Sequence, residues 1–251
     1  DVYRPWVGAP IVLNDSTTTP SVSIGSNNDI WKVSPQKGGI FAQDRIEYKG
    51  VKATLGMRFN YWAPGKFADN AVADSSSPVL PAIREAYSKN SFNAGGLSWK
   101  VRLLPRLNVS FPVTENNVLY FNYGHSMRMP HPRFMYAGLD PQYQDRSFLS
   151  SLGNPNLNPE VNISYEVGYK TLVGSRIGWT INAFNNNRFD YIVSRRVITT
   201  DATGRPVTKT MYINQDYAKI IGVETQLNAR LNNSFSSFFN GSYQQARGKS
   251  N

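Results

Sequence analysis

The sequence predicts an all-β fold, an antiparallel up-and-down meander of about eight strands from a transmembrane β-barrel. Three observations predict it. Long segments alternate apolar and polar residues with period two, no stretch approaches the roughly 18 to 20 apolar residues of a membrane-spanning helix, and short turns alternate with long loops. A barrel strand escapes hydropathy because it needs only about 9 to 11 residues and turns half of them toward a wet interior.

Composition agrees and excludes several functions. The chain of 251 residues carries 14 Tyr and 13 Phe, mostly inside the alternating segments, which favours β-structure. With no cysteine there is neither a disulfide framework nor a thiolate metal site, and two histidines argue against zinc. The formal charge is +10, but Lys and Arg are scattered through strands and loops. No basic helix or run points to nucleic acid; an interior or loop set facing acidic ligands or lipid headgroups fits better. The chain opens at Asp1 without a charged and apolar leader, so it reads as mature or truncated.

Residues 1–38, rich in Pro, Ser, Thr and Asn, read as loop or partial strand leading into the barrel. Residues 39–251 read as barrel segment. A first strand ends at Lys49-Gly50, and the second places Val51, Ala53, Leu55, Met57, Phe59 and Tyr61 on one face. A long loop, 63–98, has room for one helical turn at Ile83 to Tyr87. The third strand alternates at Leu107, Val109 and Phe111, and the fourth is VLYFNYGHS at 118–126. A second long loop, 127–160, ends in Asn154-Pro155 and Asn158-Pro159, where proline holds the preceding residue extended. The fifth strand follows with Val161, Ile163, Tyr165, Val167 and Tyr169 on one face. Two strands of about twenty residues, joined around Asp201 to Pro206, and a last one through 234–247 complete the meander.

The links after the first, third, fifth and seventh strands are short, and those after the second, fourth and sixth are longer. An outer-membrane barrel sorts its connections this way; a soluble sandwich has no reason to. The faces then acquire identities. Phe59, Tyr61, Val109, Phe111, Tyr165, Trp179, Ile181 and Leu227 would meet lipid, while Arg58, Arg106, Glu166, Lys170, Glu224 and Arg230 would face the lumen.

Four phrases carry a family resemblance. GGIFAQDRIEYKGVKATLGMRFNYWAP, PRLNVSFPVTENNVLYFNYGHSMRMP, GNPNLNPEVNISYEVGYK and YINQDYAKIIGVETQLNARL resemble, in this order, the barrel of TonB-dependent outer-membrane receptors of Bacteroidetes-like bacteria. Gly153 to Glu160 followed by Tyr165 to Gly168 matches one family phrase, and Asn214, Asp216 and Gly222 to Glu224 match another. The resemblance implies a barrel of about 22 strands around a plug, of which this chain would be an internal piece without plug. It implies location in a Gram-negative outer membrane and uptake of a nutrient: a chelate, vitamin, oligosaccharide or peptide. The implied partners are outer-membrane lipid, TonB through an N-terminal part of the parent, the imported ligand and optionally a surface lipoprotein. No cofactor and no enzyme activity are expected.

The densest group of unusual residues is GHSMRMPHPRFMY, 124–136. His125, Arg128, His131, Arg133 and Tyr136 at this loop base are the candidate ligand contacts. Soft-metal or haem ligation by the His and Met lacks further ligand spacing. His125 and Ser126 are adjacent on a strand and point to opposite faces, so they cannot form a nucleophile and base pair. Two rival readings are a self-contained eight-stranded barrel with a structural, adhesive or pore role, and a soluble β-rich surface-binding module.

Overall fold

The computed structural model describes residues 11–13, 17–19, 31–140, 151–200 and 204–249. Eight long strands form the wall: β1 (Gln36–Tyr48), β2 (Val51–Ala63), β3 (Leu97–Thr114), β4 (Asn117–Arg128), β5 (Glu160–Val173), β6 (Ile177–Thr200), β7 (Pro206–Arg230) and β8 (Ser236–Lys249). They lie side by side in chain order, each antiparallel to the next. This is the expected up-and-down meander.

Tight turns join the strands at one end. Lys49 and Gly50 both have positive φ, 48° and 81°, the geometry whose twist matches that of two paired strands. Asn117 Nδ2 donates to Thr114 Oγ1 at 2.6 Å across the next turn. At the other end, the first two connections are long and folded. Helices α1 (Lys66–Ala73) and α2 (Pro81–Lys89) occupy the connection after β2, and α3 (Pro132–Tyr136) the one after β4. The third connection is different: β6 and β7 stay paired up to Thr200 opposite Pro206, so the chain projects as a long hairpin. Strands of 24 and 25 residues far exceed the span a bilayer requires, and their upper halves stand beyond it.

Of the helices, only the turn at Ile83 to Tyr87 is legible in the sequence, and it lies within α2. Helix α1 lacks the usual start signal. Its N-cap is Gly65, with φ 96° and no side-chain cap. Its far end is held instead by Arg84 of α2. The Arg84 guanidinium donates to the carbonyls of Val72, Ala71 (3.3 Å), Val79 (3.1 Å) and Ser77 (3.0 Å), closing the 71–79 corner.

The register sorts every wall strand into two faces. One row crosses seven strands with only apolar residues: Val223, Ala183, Val167, Phe121, Val109, Ala53 and Ile46. The neighbouring row on the other face reads Gly222, Phe184, Glu166, Asn122, Asn108, Thr54 and Arg45. A one-residue step thus exchanges the two solvents, which specifies the register strongly. Arg102 on β3 and Asp190 on β6 form an ion pair at 3.5 Å, although two strands separate theirs in the sheet order. Such a contact is possible only across a concave face. Arg102 pairs with Asn60, so the polar face is the concave one.

The buried core lies at the loop end of the wall. Ala68, Met135, Tyr136 and Leu157 form its centre, with Trp31, Phe67, Phe134, Ile192 and Tyr212 packed around them. The loops and the upper strands therefore form one folded assembly.

Candidate functional site

The assembly is held together by the phrase Gly153 to Glu160. Asn154 Nδ2 donates to the Tyr212 carbonyl on β7 at 2.9 Å, and its own N–H donates to the Phe134 carbonyl at 2.8 Å. Asn158 and Asn214 bond reciprocally: the Asn158 N–H reaches Asn214 Oδ1 at 2.8 Å, and Asn214 Nδ2 reaches the Asn158 carbonyl at 3.0 Å. Asn214 Nδ2 also donates to the carbonyl of Asp190 at 2.8 Å. Asp190 is a non-glycine residue at φ 60°, at the point where the β6–β7 register shifts. Pro155 and Pro159 are fully buried. From β3, the Lys100 ammonium donates to Asn156 at 3.0 Å (carbonyl) and 2.6 Å (Oδ1) and lies over the Tyr87 ring. Two sequence phrases far apart in the chain thus meet in space.

Replacing Asn214 by Ala leaves the Asn158 N–H and carbonyl and the Asp190 carbonyl without this partner. Each buried group so orphaned costs about 1 to 3 kcal/mol, and partial water access lowers the sum. We expect the loop foot to exchange amide hydrogens at least tenfold faster, a change of about 1.4 kcal/mol, while wall amides below Asp190 stay unchanged. Hydrogen exchange read by mass spectrometry checks this.

The five candidate ligand contacts fall in three places. Arg128, His131 and Arg133 line one groove of about 660 Å³ with Met129, Phe134 and Glu160. Arg128 pairs with Glu160 at 3.1 Å and remains 80% exposed. His131 is the N-cap of α3, and its Nδ1 accepts from the Arg133 N–H at 3.2 Å, so its Nε2 remains available. Arg133 donates through Nη2 to the Tyr212 hydroxyl at 3.3 Å, while its Nε is buried without a partner. His125 stands apart: it pairs with Ile163 on β5 and lies on the convex face with Tyr123 and Tyr165, its Nε2 2.7 Å from the Tyr123 hydroxyl, because its odd position on β4 turns it away from the interior where a ligand contact was expected. Tyr136 is only 1% exposed. Its hydroxyl donates to the Pro64 carbonyl at 2.8 Å, and its ring meets those of Trp31 and Phe67. Burial pushes its phenol up to about 12. Tyr136 therefore joins the two outer loops and offers no surface to a ligand. Tyr87 plays the matching part beneath α2: it donates to Asp69 at 2.8 Å, and burial followed by that bond drives its phenol far up.

The six charged residues expected on the interior share the concave face by register. Glu166 is the hub among them. It accepts from Tyr120 (3.3 Å), Asn122 (3.2 Å) and Asn182 (3.2 Å), whose second neighbour is Glu224 at 3.5 Å. Lys170 sits over the Tyr120 ring at 5.1 Å. Gly168 makes this possible, because a Cβ there would meet the Tyr120 ring and hydroxyl at 2.1 to 2.5 Å. The partners of Glu166 in the wall are thus two amides and a phenol. Among the described residues no cluster of three or more His, Asp or Glu could hold a metal.

A sequence profile described as "TonB dependent receptor-like, beta-barrel" matches residues 3–251. The chain belongs to this family. It is accordingly a Gram-negative outer-membrane protein, and the convex apolar rows face lipid. No curated protein matches the chain. Among solved structures, it is similar to the siderophore receptor PirA of Pseudomonas aeruginosa (16% identity, TM-score 0.55, 84% of this chain and 32% of that one). It is also similar to the outer-membrane transporter YddB of Escherichia coli (14%, 0.60, 85% and 25%) and the ferric enterobactin receptor PfeA of P. aeruginosa (17%, 0.59, 84% and 26%). At these identities the likeness is one of fold. The chain spans a third or less of the length of these proteins.

Proposed function

We propose that the chain forms part of the wall and outer mouth of an active transporter that binds a nutrient outside the cell and imports it with TonB-coupled energy. The observation that carries this reading is the folded mouth. Loops that merely closed a pore would not need a buried aromatic core, an Asn158 and Asn214 clasp and a groove with exposed Arg128 and His131 at its rim. Such an arrangement holds a recognition surface at fixed geometry, which lowers the ordering cost of binding. Arg128, His131 and Arg133 are the residues we assign to first contact. The names of the relatives in fold make a ferric chelate the first class to test, ahead of vitamins, oligosaccharides and peptides.

The test is uptake of labelled members of each class by cells expressing the full-length receptor, with and without TonB. One class should accumulate against its gradient and only when TonB is present. Equal entry in both strains would sink the reading in favour of a passive pore.

A further inference from the structure

The inner wall below the mouth holds a second pocket, of about 500 Å³, lined by Lys37, Arg58, Asn60, Trp62, Leu104 and Arg106 among others. Its polar groups are lopsided. Three of them are fixed cations, and no carboxylate lines the pocket. Several other cations on this face have partners: Lys52 has Glu47, Arg102 has Asp190, Arg128 has Glu160, Lys100 has Asn156 and Lys170 lies over Tyr120. Among the described residues, Lys37, Arg58 and Arg106 are in no ion pair. Arg58 spends only its Nε, on Asn60 Oδ1 at 2.7 Å.

A further feature points the same way. Arg106 is flanked at its own level by Gly56 on β2 and Gly124 on β4. A Cβ on Gly124 would meet Arg106 Cγ at 3.4 Å, and one on Gly56 its Cβ at 3.6 Å. The two glycines leave the space around this side chain open to a ligand. The pocket lies where the β3–β4 ladder ends, at Arg106 and Gly124, and it shares Met129 with the groove of the mouth.

We propose that this pocket is an anion subsite, which takes a carboxylate- or phosphate-bearing group of the ligand through Arg58 and Arg106, with Lys37 completing the contacts. Arginine is suited to this task because its planar fork meets two oxygens at once. A pocket of donors walled by low-dielectric strands also concentrates anions from solution. The assignment rests on the transport reading for its meaning but not for its test.

The test uses the purified full-length receptor in detergent, titrated calorimetrically with citrate and with pyrophosphate at low and high salt. Saturable binding is expected for one or both, weakening as salt rises. Arg58→Gln with Arg106→Gln should weaken it about tenfold or more, whereas Arg58→Lys with Arg106→Lys should retain most of it. Unchanged affinity in the double Gln variant, or no binding of either anion to the unmodified receptor, overturns the subsite. The latter is the result expected if carboxylates of another segment of the receptor already fill the pocket. TonB dependence of uptake is read separately in cells, so each reading can fail while the other stands.

Discussion

Replacing Gly153 by Ala is expected to release the outer loop from the wall. A Cβ at this position would lie 2.7 Å from the Ala137 nitrogen and from the carbonyl carbon and oxygen of Met135. All three are backbone atoms, so no side chain can rotate away to make room. The Gly153 N–H meanwhile donates to the Ala137 carbonyl at 2.7 Å, which fixes the approach. Any shift that relieves the clash moves Asn154, and with it the bonds to Tyr212 and Phe134. We expect a loss of about 3 kcal/mol or more in the local stability of the mouth, typical of a backbone clash added to a broken buried network. The wall should keep its β content. Limited proteolysis of intact cells checks it: the variant receptor should be cut within 129–159 where the unmodified one resists, and should remain heat-modifiable on gels as a closed barrel. Equal protease resistance would mean that the clasp at Gly153 does not hold the loop.

The same region shows what the sequence carried and what it concealed. The wall strands were legible because each one separates two solvents, and period-two alternation records that separation residue by residue. Val167 beside Glu166 is a single-step example, and both faces fall where alternation puts them. Helix α1 was not legible because its start at Gly65 carries no side-chain cap and its far end is fixed by tertiary contacts, namely the Arg84 bonds to its final carbonyls. The phrase Gly153 to Glu160 was visible as a stiff corner, but its partner Asn214 was not. Neither asparagine titrates or binds metal, and nothing in a single sequence pairs two amides 56 positions apart. Tyr136 misled for the opposite reason. A Tyr next to Arg and His reads as ligand chemistry, yet its ring supplies area to the core and its hydroxyl serves the Pro64 carbonyl. The signal that could have separated it from Arg133 is the helical spacing of Phe134, Met135 and Tyr136 after a Pro at N1, which turns Met135 and Tyr136 inward.

Charge placed on the convex face should cost stability in proportion to depth, and this gives the sharpest test of which face meets lipid. Val167 lies in the apolar row, between Ala183 on β6 and Phe121 on β4, and is 53% exposed on the convex side. In water that exposure would make substitution nearly free. In a bilayer, Arg near mid-depth of a barrel wall costs about 2 to 4 kcal/mol. Val167→Arg is therefore expected to lower the unfolding free energy of the full receptor in lipid vesicles, measured by urea titration, by that amount. Ile198→Arg is the depth control. Ile198 is 73% exposed near the far end of β6, beyond the bilayer, and its replacement should cost about 0 to 1 kcal/mol. Asn122→Arg is the face control, because Asn122 lies one residue from the same level on the concave side and donates to Glu166 at 3.2 Å. There an arginine gains a carboxylate neighbour in exchange for an amide bond, and the change should stay within about 1 kcal/mol. A penalty equal for Val167→Arg and Asn122→Arg would place water on both faces. That outcome would contradict a lipid-facing wall, whereas a steep loss confined to Val167→Arg requires one.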